Sequence, residues 1–74
     1  MSPLELKEVL RQQPFEPFRL VMTDGVGYDI RRPDLMMVGM TSAMVGFTTD
    51  FEQIFYERSA KIDLGHVARL DPLE

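Results

Sequence analysis

At Pro14-Phe15-Glu16-Pro17-Phe18-Arg19 the hydrophobic period of the chain changes, and two prolines bracket the change. Proline lacks a backbone N–H and disfavours helical angles in the residue before it, so a helix arriving at Pro14 stops at about Gln13. Upstream, Ser2-Pro3-Leu4-Glu5 has the form of a capping box with proline at the first helical position. Leu6, Val9 and Leu10 recur at helical spacing with Leu4 on the flank, while Lys7, Glu8, Arg11 and Gln12 take the other side. The pattern predicts an amphipathic helix over about residues 3–13. So short a helix is marginal alone, and its apolar stripe has to dock. Pro14, Phe15, Pro17 and Phe18 then read as a structural joint: Pro14 ends the helix, Phe15 anchors it, and Pro17 sets Phe18 at the start of a strand.

From Phe18 the period is two. Phe18, Leu20 and Met22 alternate with Arg19, Val21 and Thr23, and Asp24-Gly25 supplies a tight hairpin turn. The return strand opposes Val26, Tyr28 and Ile30 to Gly27, Asp29 and Arg31. Arg32-Pro33-Asp34 interrupts the sheet, because proline cannot donate to a ladder. Two apolar runs about Thr41-Ser42-Ala43 read as a second hairpin, with Gly39 and Gly46 as candidate bulges. Residues 50–58 fit a helical stripe of Phe51, Ile54 and Phe55 as well as a strand-forming Ile54-Phe55-Tyr56, and are read as a loop leading into a strand. The expected strand segments lie at about 18–23, 26–31, 35–40, 44–48, 54–64 and 66–70, in a single domain spanning residues 1–74.

Composition bounds the function. A chain of 74 residues buries only roughly 60% of its unfolded surface on folding, and without cysteine it has no disulfide to compensate. The apolar fraction of 45% with 27% charged residues is that of a globular domain rather than a disordered one. A net charge of -4 argues against a surface given over to phosphate binding. Glu5, Lys7 and Glu8 fall where a signal peptide needs an apolar core, and Leu35–Met40 is far shorter than the ~20 residues of a membrane span. The reading is a cytoplasmic protein with no membrane partner.

One helix followed by about five short antiparallel strands, mainly β in an α+β chain, resembles the layout of a small SH3-like or Sm-like barrel. The chain also resembles a family of short, uncharacterised bacterial proteins. The shared pieces are the Pro14–Phe18 segment, the strand ending in Asp24-Gly25, Arg32-Pro33-Asp34, and a closing strand with His66-Val67 and Leu70. That family carries no assigned activity. A looser similarity is to the bacterial Sm-like RNA chaperones, in which a Tyr-Lys-His step precedes the last strand; in Leu64-Gly65-His66 only the histidine matches.

No catalytic constellation is legible, and no enzyme, metal or cofactor is expected. His66 is the sole histidine and has no cysteine to join it in a zinc site. Neither Ser42 nor Ser59 lies in a nucleophile elbow, so His66 reads as a structural residue at the turn. Asp24, Asp29, Asp34, Asp50, Glu52 and Asp63 fall singly at turns and solvent-facing positions. Two surfaces remain. Arg19, Arg31 and Arg32, with Tyr28 to stack a base, form a candidate anion or RNA contact, although such arginines more often pair with neighbours such as Asp29 and Asp34. Met36, Met37, Met40 and Met44 form a dense thioether cluster that serves equally as core filling or as an adaptable interface. The sequence therefore points first to a non-enzymatic module that forms a homo-oligomer or binds a protein partner, and second to an Sm-like RNA binder.

Overall fold

The computed structural model describes residues 1–47 and 58–73. Among them one helix and six strands form a small, mostly β, α+β domain. The elements are α1 (Pro3–Arg11), β1 (Phe18–Met22), β2 (Gly27–Ile30), β3 (Met36–Val38), β4 (Ser42–Phe47), β5 (Arg58–Asp63) and β6 (Val67–Pro72). Short 3-10 turns at Pro33–Leu35 and Leu64–His66 separate β2 from β3 and β5 from β6. All ladders are antiparallel, and they make two three-stranded sheets of order β2-β1-β6 and β3-β4-β5. These ladders do not close into a barrel.

The Ser2 side chain caps α1, its Oγ accepting the Glu5 N–H at 3.2 Å, with Pro3 at the first helical position. The helix ends at Arg11 rather than at about residue 13: Gln12 is already extended (φ -60°, ψ 141°), and the Gln13-Pro14 peptide is cis. Leu6 is fully buried, and Val9 and Leu10 pack at the margin of the core. Leu4, on the flank of the stripe, is exposed.

Between the sheets the core joins Leu6, Phe18, Leu20 and Ile30 to Met36, Ala43, Val45, Ile62, Leu64 and Val67. Strand alternation explains the set. Leu20 and Ile30 project from the inner face of the first sheet, and Met36, Ala43, Val45 and Ile62 from that of the second. Burying one such aliphatic side chain contributes about 1.5–3 kcal/mol, so a core this small depends on each of them.

The first hairpin turns through three residues rather than two. Met22 donates its N–H to the Val26 carbonyl at 2.8 Å, Gly25 donates to that of Met22 at 3.0 Å, and Asp24 Oδ1 accepts the Val26 N–H at 3.0 Å. Gly25, at φ 91°, occupies the left-handed region that favours glycine. Val26 thus sits at the hairpin end, exposed, rather than inside with Ile30. Leu35 belongs to a 3-10 turn, which shortens the expected 35–40 strand to Met36–Val38. The reversal after β3 falls at Met40-Thr41, so Ser42 and Ala43 already lie in β4. The last strand runs on through Asp71-Pro72, paired with Arg19 and Phe18. The alternatives for residues 50–58 lie outside the described residues except Arg58, which begins β5.

Candidate functional site

The two sheets present chemically different outer faces. On the first, β1 places Arg19 between Asp29 of β2 and Asp71 of β6. Arg19 Nε donates to Asp29 Oδ1 at 2.6 Å and a terminal nitrogen to Oδ2 at 3.3 Å, while Arg31, one residue past the end of β2, reaches Oδ2 at 3.6 Å. On β6, Arg69 Nε bonds both oxygens of Asp71, at 3.1 and 3.0 Å. The sequence Arg31, Asp29, Arg19, Asp71, Arg69 is thus a ladder of alternating charge across the sheet. The hydrogen bond from Arg19 holds the Asp29 carboxyl below the usual range; burial opposes it, and the charges of Arg19 and Arg31 add to the lowering. The same hydrogen bond raises the Arg19 guanidinium above its ordinary value.

Gly27 makes this geometry possible. It lies opposite Val21, and a Cβ there would sit 3.0 Å from Arg19 Cδ and 3.3 Å from Cγ, so the bare glycine leaves the groove in which the arginine stem lies. Val21, on this outer face, is buried although it stands outside the inter-sheet core. Sequence alternation sets Val21 with Arg19 and Thr23; across the strands it lies between Gly27 and Arg69.

The predicted arginine cluster is therefore only partly assembled. Arg19 and Arg31 share a face and a carboxylate, but Arg32 pairs with Asp34 at 3.3 Å in the 3-10 turn. Tyr28 lies opposite Leu20 on β2 and is half-buried against the core, and it also borders the groove lined by Arg19, Asp29 and Arg69. Arg69, which completes the ladder, was absent from the sequence reading; its register against Val21 and the pairing of Arg19 with Asp71 could not be read before β6 was placed beside β1.

The second sheet divides the methionine cluster by side. Met36 is a core residue opposite Val45. Met37 and Met44 pair across the strands on the outer face, at 74% and 42% exposure, and Met40 at the turn is 88% exposed. Asp34, Leu35, Met36, Met37, Met44, Gly46 and Ser59 line a groove of about 360 Å³ beside them. Lys61, opposite Met44, bounds the methionine row on the β5 side.

The joint residues are also placed. Phe18 is buried, and Phe15 packs at the core margin with its ring 6.0 Å from that of Phe18 at 58°. Beside Pro17 they line an apolar groove of about 460 Å³ with Val9, Leu70 and Pro72. His66 is exposed, but its carbonyl accepts the Thr23 N–H at 2.8 Å and so ties the last turn to the first hairpin. Asp63 Oδ1 accepts the Gly65 N–H in the same turn. Among the described residues no three histidine or carboxylate side chains are grouped to hold a metal ion, and no helix is long and apolar enough to cross a membrane. Comparison with protein-family models, with curated proteins and with solved structures returned no match.

Proposed function

We propose that the chain is a non-enzymatic assembly module that works through the methionine face of the β3-β4-β5 sheet. The observation that carries this reading is the exposure of Met37 and Met44 as a cross-strand pair on the outer face of one sheet, with Met40 exposed at the adjoining turn, in a protein whose other sheet has a charged outer face. Scattered exposed hydrophobics are ordinary, whereas a contiguous set of flexible thioethers beside a groove is suited to an adaptable contact. The nucleic-acid reading has less behind it. Asp29 is shared between Arg19 and Arg31, Arg32 pairs with Asp34, and Tyr28 is half-buried against the core, so the cluster is largely engaged within the chain.

Two 3-10 turns carry the chain between the sheets, which supports reading the domain as an opened small barrel of the SH3-like or Sm-like kind. A reducing, cytoplasmic setting accords with the lack of cysteine.

Sedimentation velocity over a concentration series tests the assembly reading. Reversible association is expected for the wild type, and Met40→Asp, at a site 88% exposed, should weaken it without altering the circular dichroism spectrum. A wild type that stays monomeric throughout, or association indifferent to Met40→Asp, overturns the methionine face as the interface.

A further inference from the structure

Among the described residues four strand edges bound the two sheets: β2 and β6 in one, β3 and β5 in the other. An open edge is a row of unpaired N–H and C=O groups, and stable monomers blunt it by keeping it short, with charge, proline or a bulge, or by covering it with a helix or loop. β2 carries Asp29 in its ion pairs, β6 carries Arg69, Asp71 and Pro72, and β5 carries Arg58, Lys61 and Asp63. β3 is Met36-Met37-Val38, only three residues long, and carries no charge, proline or bulge. It is also the edge beside the exposed methionines. α1 also contacts β3, and Leu6 and Met36 share the core.

The direction of the free groups follows from the ladder. Gly39 donates its N–H to the Ser42 carbonyl at 2.8 Å, in the register that pairs Met37 with Met44. Antiparallel residues alternate between bonding their neighbour and facing away from it. Met37 therefore bonds towards β4, and Met36 and Val38 direct their N–H and C=O groups to the open side.

We propose that the partner is a second copy of this chain, docked edge to edge, so that the two β3 strands pair antiparallel about a two-fold axis at Met37. This rests on the assembly reading and names its partner and its register. About that axis Met36 of each copy opposes Val38 of the other, and each opposed pair exchanges both N–H···O bonds. Met37 meets Met37 of the second copy at a non-hydrogen-bonded position, where side chains approach most closely. Met40 comes towards the end of the other copy at which Asp34, Leu35 and Met36 line the groove. Residues 35–40 carry no charge, and Asp34 next to them is paired with Arg32, so a chain of net charge -4 can make this contact without opposing like charges. The contact is isologous and closes as a dimer, which uses up the open edge instead of propagating it.

The test combines charge exchange at residue 37 with amide exchange. Met37→Lys and Met37→Glu are each expected to fold, since Met37 is 74% exposed, and each to weaken association by more than about tenfold, because two like charges face each other across the axis. Mixing the two variants should restore a dimer containing one of each. In the wild type, the Met36 and Val38 amides should gain protection from hydrogen exchange on association. Association that Met40→Asp disrupts but that leaves those amides exchanging as in the monomer, or that the mixed variants fail to restore, overturns edge pairing and keeps the methionine face as an interface. A wild type monomeric at every concentration overturns both.

Discussion

The charge ladder shows how much one missing side chain can decide. Arg19 lies flat because Gly27 has no Cβ, and the flat arginine brings its Nε to Asp29. Gly27→Ala should displace the arginine stem and loosen that bond, and Arg19→Gln should remove its charge. Both should raise the Asp29 midpoint towards the ordinary value of about 3.9, as followed by carboxyl NMR shifts. The sign for stability is set by the same lowering. A carboxyl with a folded pKa below its unfolded value contributes stability that is present above the unfolded value and lost as pH falls through the folded one. The wild type should therefore lose stability more steeply than Arg19→Gln below about pH 4, in acid denaturation monitored by circular dichroism. Arg19 itself, raised from an already high value, contributes no pH dependence in any accessible range. An Asp29 midpoint equal in all three proteins would refute this account of the ladder.

At the scale of elements, the Pro14–Phe18 joint links α1 to the first sheet through two aromatic rings of unequal burial. Phe18 is 4% exposed in the inter-sheet core, whereas Phe15 packs at its margin. Phe18→Ala should accordingly cost about 3–5 kcal/mol, the range for a buried phenylalanine. Phe15→Ala should cost about 1–2 kcal/mol, since less of its area leaves water. Urea denaturation with a shared slope measures both, and equal losses would mean that Phe15 carries the joint as heavily as Phe18 does. The hairpins illustrate the limit of local reading. Asp24-Gly25 was legible as a turn because aspartate and glycine have local reasons to be there. Whether the loop held two residues or three depended on the bond from Met22 to Val26 and on pairing with β6, whose register shifts between Val21 and Met22.

For the whole molecule, the contrast between a charged sheet and a methionine sheet predicts how association responds to salt. Copies of net charge -4 repel at long range, and the Debye length shrinks from about 30 Å at 0.01 M to about 3 Å at 1 M. Association through the uncharged β3 edge should hold or tighten along that series in sedimentation equilibrium. Binding to nucleic acid would weaken steeply over the same range, because each neutralised phosphate releases counterions. Self-association that collapses with added salt would point instead to the arginine and aspartate face.

The capped helix, the change of period at the prolines, the first hairpin and most of the inward-facing residues were legible in the chain because they depend on neighbours within a few positions. Ser2 caps Glu5, and Leu20 and Ile30 follow from alternation alone. The long-range pairings were not legible, and both candidate surfaces depend on them. The core role of Met36 against the exposure of Met37 and Met44 needed the register of β3 on β4, and the placing of Val21 between Gly27 and Arg69 needed that of β1 on β2 and β6. A strand pattern says which residues share a face, but which face meets the core, and which edge is left open, is settled only when distant strands pack.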